Sequence, residues 1–161
     1  MTRQLPRPLP ALVLALAAVS AAAAPGCKRE TPAAAIRRVL DDGCDALQQR
    51  DVARAVRHLS PDYKDKLSRT NQQMRGLAFW VLRRGPVTVF LRDTKIEVEG
   101  EAATVTTVAH CFLGREHIDR LSDLVPQGAQ RFELTLKLAR EKGGWKVRAI
   151  DGDWTNPDLG M

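Results

Sequence analysis

The spacing of apolar residues changes once along this sequence, at Gly85-Pro86, from a helical period to a period of two. Before the break, Thr31-Pro32 reads as a helix start, since Thr can cap and Pro suits the first turn. Ile36, Leu40, Cys44 and Leu47 then form one apolar stripe through about Arg50. Asp51 caps a short second helix striped by Val52, Ala55, Val56 and Leu59. Ser60-Pro61 breaks it and starts a further turn through Asp62, Tyr63 and Leu67. Thr70 and Gln73 have capping-box spacing. They predict a third helix over 71–84, with Met74, Leu77, Ala78, Val81 and Leu82 on one side. Phe79 and Trp80 widen that apolar surface, so its later half is expected to be buried.

After Pro86 the pattern alternates. Val87, Val89 and Leu91, then Ile96 and Val98, are followed by a turn at Gly100 and a long β-prone run over 102–113. Phe132, Leu134, Leu136 and Leu138 alternate with polar residues, which predicts one buried face and one wet face. Gly143-Gly144 turns the chain into a last strand with Trp145, Val147 and Ala149 on one face. Helices first and antiparallel strands after make an α+β fold, with helices packed on one face of a curved antiparallel sheet. The segment 114–130 is long for a hairpin link. It carries Ile118, Leu121 and Leu124 at helical spacing, and could cap the sheet edge or lid a pocket.

Residues 1–26 have a different character. Arg3 and Arg7 are their only charges, and 11–24 is a small-and-apolar stretch too short to span a bilayer. A basic head, an apolar middle and a small-residue end read as a cleaved secretory signal peptide. Ala24-Pro25-Gly26-Cys27 resembles a bacterial lipobox, although Ala24 stands where Leu is commoner and Pro25 is unusual. The resemblance implies a lipid on Cys27. Ordinary cleavage within 21–24, leaving a free thiol, is the rival. The expected division is a signal peptide over 1–26, a short tether over 27–31, one domain over 32–155 and a tail over 156–161. Loss of Arg3 and Arg7 lowers the formal charge from +6 to +4. With scattered arginines and 5% aromatics, nucleic acid is not an expected partner, while anionic lipid surfaces are compatible.

The order helix, Leu47, Asp51, Ala55, Leu59-Ser60-Pro61-Asp62-Tyr63, another helix, and strands ending in Gly144-Trp145-Lys146-Val147 resembles the nuclear-transport-factor-two-like superfamily. The likeness spans 31–154. It implies a cone, a bent sheet wrapped around helices and often enclosing a pocket. It implies little about chemistry, because the superfamily holds isomerases, dehydratases, hydrolases, transport factors and non-enzymatic modules.

No phosphate loop, dinucleotide fingerprint, nucleophile elbow or metal-ligand spacing is present, so neither cofactor nor metal is expected. His58, at a helix end, and His117, in a polar loop, read as surface residues. Strict alternation would put Asp151 and Asp153 on the face of Trp145, where burial and mutual repulsion would raise their pKa values, whereas a strand that ends by Gly152 leaves both hydrated, helped by Arg148 or Arg84, the usual state of a carboxylate. Tyr63 and His110 are the other candidates for acid–base work. His110 points away from any pocket if the small face, Ala103 to Cys111, meets the helices. An apolar cavity would be lined by Trp80, Phe132, Leu134 and Trp145. Cys44 and Cys111 are expected to be buried on facing surfaces and are a candidate disulfide in an exported protein. The reading is therefore an exported lipoprotein, held on a membrane by Cys27 and facing the periplasm or the exterior. Its domain binds a small apolar ligand or an envelope protein, without catalysis. The alternatives are a general acid–base isomerase, dehydratase or hydrolase, and an accessory module whose cavity is filled by its own side chains. The oligomeric state is left open, a dimer included.

Overall fold

The computed structural model describes residues 30–113 and 130–152. Cys27, His117, Ile118, Leu121, Leu124, Asp153 and the C-terminal boundary of the expected domain lie outside them. Thr31 caps α1 (Pro32–Gln48) by accepting from the Ala34 N–H at 3.2 Å. Asp51 caps the single short turn of α2 (Val52–Val56), accepting from Arg54 N–H at 2.9 Å. At the start of α3 (Asn71–Arg84) the Thr70 side chain and Gln73 satisfy each other's backbone N–H groups, the reciprocal cap their spacing predicts. The far end of α3 is tied back by Arg50 Nε, which donates to the Leu82 carbonyl at 2.9 Å.

Four antiparallel strands follow in the order β1-β2-β3-β4: β1 (Val87–Glu99), β2 (Ala102–Leu113), β3 (Gln130–Glu141) and β4 (Gly144–Gly152). Gly143 and Gly144 make the β3–β4 turn with φ of +98° and +121°, a region that side chains other than glycine rarely occupy. Ala103, Val105, Thr107 and Ala109 are the buried face of β2, and Phe132, Leu136 and Leu138 that of β3. Ile36 and Leu40 of α1 pack against Val105, Leu136, Leu138, Trp145 and Val147, with Tyr63 and Ala103 closing the cluster. The fold is α+β, a curved antiparallel sheet with its helices on the inner face. No helix among the described residues is long and apolar enough to cross a membrane.

Two bulges change which side chains reach that inner face. In β1, Asp93 and Thr94 together oppose Thr107 alone. The phase therefore slips, and both Leu91 and Ile96 meet the core. The Thr107 hydroxyl, 2.8 Å from Thr94 Oγ1, donates to the Arg92 carbonyl at 2.9 Å and satisfies the bulged backbone. In β4 the extra residue is Arg148. Val147 pairs with Leu138, but the next partner, Lys137, meets Ala149. Ala149, expected among the core residues, is thereby turned away and Ile150 takes its place.

The open edge of β4 is closed by the chain after α2. Val147 N–H donates to the His58 carbonyl, Ser60 N–H to the Val147 carbonyl, and Lys64 N–H to the Arg148 carbonyl, all at 2.8 to 2.9 Å. Residues 61–67, expected as another helical turn, form this edge loop instead, and Leu67 is 66% exposed. Asp65 organises the loop. Its carboxylate accepts from Leu67 N–H, Arg69 N–H and Arg69 Nε. A second correction concerns α3. Leu82 is buried, but Phe79 and Trp80 are 54% and 40% exposed. They carry Arg83 and Arg84 over their rings instead of packing inward, with the Arg84 guanidinium carbon 3.6 Å from the Trp80 ring centre.

Candidate functional site

The acid–base candidates read from the sequence do not converge. The Arg148 bulge pairs Asp151 with Thr135 and takes it off the face of Trp145 and Val147. There its carboxylate accepts from Lys66 N–H at 3.3 Å and stands 4.0 Å from the Lys66 ammonium, fastening the edge loop to the sheet. Tyr63 is buried in the core. Its hydroxyl donates to Asp65 at 3.5 Å and accepts from Ile150 N–H, and burial followed by the Asp65 charge pushes the phenol up to about 12. His110 lies opposite Arg131 and Phe90, on the face of β2 turned away from Ala109. Asp151 and His110, which could have formed a dyad, are kept apart: β3 lies between their strands, and their partners on it, Thr135 and Arg131, are four residues apart.

The cysteines also differ from expectation. Both are partly exposed and both sulfurs are unbonded. The two are near enough for the charge of Cys111 to bear on Cys44. However, α1 lies chiefly on β1, so Cys44 faces the groove with Val89 and Leu91 while Cys111 is one strand farther along. Burial pushes their thiols up to about 12 and about 11, which keeps both protonated and unreactive near neutral pH.

Of the four expected pocket residues, Trp145 alone borders an open cleft that the described residues enclose. Phe132 is buried, Leu134 is packed against the core, and Trp80 sits outside on α3. The cleft has a volume of about 530 Å³. Pro32, Ala35, Val39 and Asp42 recur three and four residues apart and line one wall from α1. The β3–β4 turn supplies the opposite wall with Arg140, Gly143, Gly144, Trp145 and Lys146, and Arg57 and His58 close the back. Trp145 is 5% exposed and forms an aromatic floor with Ala35 and Val39. Around it stand four cations, Arg38, Arg57, Arg140 and Lys146, against two carboxylates, Glu30 and Asp42.

Asp42 is the hub of the back wall. Its Oδ2 is 2.6 Å from His58 Nε2 and 2.8 Å from Arg57, while its Oδ1 accepts two bonds from Arg54 at 2.8 and 2.9 Å. The His58 hydrogen bond outweighs burial and, with Arg54 and Arg57, holds the Asp42 carboxyl down at about 2. His58 Nε2 also lies 3.2 Å from Arg57 Nε. Protonated, that nitrogen donates to Asp42; bare, it accepts from Arg57. His58, read from the sequence as a surface residue, is thus only 19% exposed at its side chain and built into the wall. Asp42 was not legible as a site residue. The one available signal was an acid three residues after Val39, on the apolar side of its helix. Among the described residues no cluster of His, Cys, Asp or Glu could hold a metal ion.

No protein-family model and no curated protein sequence matches the chain. Solved structures do. A Caulobacter vibrioides protein with a cystatin-like fold superposes with a TM-score of 0.60 at 15% identity, covering 80% of this chain and 93% of that one. An NTF2-like protein of unknown function from Pseudomonas putida gives 0.59 at 17% identity, covering 76% and 87%. Bd1075 of Bdellovibrio bacteriovorus gives 0.60 at 9% identity over 73% of this chain, which spans 39% of that longer protein. At these identities the likeness is one of fold: a cystatin-like, NTF2-like cone.

Proposed function

With an NTF2-like cone as the starting point, we propose that this chain is an exported envelope protein, anchored by lipid on Cys27, whose domain binds a ligand and catalyses nothing. The observation that carries the binding is the open cleft beside Trp145, and the filled interior, which an accessory module would share, speaks only against catalysis inside the cone. Ile36, Leu40, Tyr63, Val105, Leu136, Leu138 and Trp145 occupy the space between α1 and the sheet, where a cone enzyme would keep its acid and its substrate. The Asp42–His58 pair favours acid–base chemistry by its position alone. Against it, the His58 Nε2 that would move the proton is held between Asp42 Oδ2 and Arg57 Nε, and both Asp42 oxygens are also engaged by arginine.

The binding place is the cleft between α1 and the β3–β4 turn. An indole floor ringed by cations fits a small ligand with a flat apolar part and an anionic group, a more polar guest than the sequence leads one to expect. The probe is 2-naphthoate, titrated against tryptophan fluorescence. Saturable one-to-one binding is expected, weakened about fivefold in Arg140→Ala, the loss of one charge-assisted contact. Absence of saturation, or identical binding by Arg140→Ala, overturns the assignment.

A further inference from the structure

The cleft stands at the end of the domain where the chain arrives from Cys27. Glu30 and Pro32 form its lip. The five residues from Cys27 to Pro32 reach at most ~18 Å when fully extended. A lipid on Cys27 places that cysteine at the bilayer surface, so the lip is held against the headgroups. Two of the five tether residues, Lys28 and Arg29, are cationic. The cations of the lip and walls are largely surface groups: Arg38 bonds Glu30 at 2.9 Å, Arg140 approaches Glu101 at 3.8 Å, and the Lys146 ammonium donates to the Arg57 carbonyl at 2.6 Å. Each keeps donor N–H groups beyond these bonds. Glu97 and Glu99 occupy the same end of the sheet, but on β1, three strands from β4 and therefore ~14 Å away.

We infer that this end of the domain is its membrane face, and that phosphates of anionic phospholipids enter the cleft beside Arg38, Arg140 and Lys146. The inference rests on the lipid-anchored reading above. The geometry separates this face from the other cationic surface of the molecule. Arg83 and Arg84 end α3, just before β1 begins, whereas the β1–β2 and β3–β4 turns stand together at the opposite end of the sheet. The length of β1 puts the two ends ~40 Å apart, several Debye lengths at physiological salt. A lipid anchor on a five-residue lead brings only one of them to the bilayer.

The test uses the mature chain, residues 27–161, which contains every described element, with Cys27→Ser so that no acyl chain contributes. It is floated with vesicles of phosphatidylcholine, with or without about 30% phosphatidylglycerol. Binding about tenfold stronger to the anionic vesicles is expected, falling as salt rises. Arg38→Glu with Arg140→Glu should lower it about tenfold, while Arg83→Glu with Arg84→Glu, the same change in net charge, should lower it no more than about threefold, because the unanchored chain can present either end and only the cleft takes phosphates. Equal losses in the two pairs, a larger loss in the α3 pair, or no preference for anionic vesicles overturns the inference. Free glycerol 3-phosphate gives the remaining arm. If it binds and vesicles do not, the cleft takes a soluble anion and only the membrane face is lost. The anchor is judged separately by the intact mass of the wild-type mature chain, so its failure is told apart from failure of the face.

Discussion

Asp42 joins α1 to the stretch from Arg54 to His58 through one carboxylate, and its effect on stability has a predictable pH window. Its folded pKa of about 2 lies below the ordinary 3.8. The stabilisation is therefore complete above pH 4 or so and is lost as pH falls through 3.8 toward about 2. Asp42 is only 16% exposed at its side chain, so solvent screens the interaction in part. Asp42→Asn should cost about 1–2 kcal/mol at pH 7. In chemical denaturation the gap from wild type should shrink to about a third by pH 2.5 and close only near pH 1. A gap of the same size at pH 7 and pH 2.5 would show that the carboxylate charge is not what stabilises. The sequence could not display this hub, because Asp42 and His58 are sixteen residues apart on separate elements. Short-range caps such as Thr70 with Gln73 are legible because both partners fall within one turn. Contacts made only after α1 docks on the sheet leave no such spacing.

At the scale of elements, periodicity gave the strands and helices, and the departures from it trace to single residues. Thirteen residues of β1 were readable as two alternating runs, yet the slip between Leu91 and Ile96 needs Asp93 and Thr94 to bulge. The same device at Arg148 takes Asp151, an acid that strict alternation would put on the face of Trp145, off that face and makes it a clasp for the edge loop. For α3, an apolar surface wider than one face was read as burial, but arginines one turn on cover Phe79 and Trp80 from the solvent side. The two tryptophans therefore predict opposite mutational costs. Trp145→Ala removes a ring packed against Ile36, Leu138 and Val147 and should lower stability by about 3–5 kcal/mol. Trp80→Ser removes an exposed ring and a cation–π contact, and should cost no more than about 1 kcal/mol. Urea unfolding of the two variants measures both. Comparable losses would mean that α3 is packed on something along its Trp80 face.

For the molecule as a whole, the proposed anchor makes the distance between the domain and a membrane the decisive quantity, which a lipid on Cys27 would set. A single acyl chain holds a protein only marginally, at about 0.8 kcal/mol per buried methylene, whereas several chains anchor it stably. With that anchor, α1 begins five residues, at most ~18 Å of chain, from the bilayer surface, and the end of the domain that carries the cleft is the tethered end. Without it, a mature charge of +4 gives only a weak, salt-sensitive attraction to anionic surfaces. Cys27→Ala in the full chain should therefore abolish acylation. The mature wild-type protein should partition into the detergent phase of a Triton X-114 separation, and any processed Cys27→Ala product into the aqueous phase. Intact mass should show the wild-type chain beginning at Cys27 with added acyl mass. A wild-type chain that begins within 21–24 and keeps a free Cys27 thiol would remove the anchor, and the domain would then have no fixed orientation to any membrane.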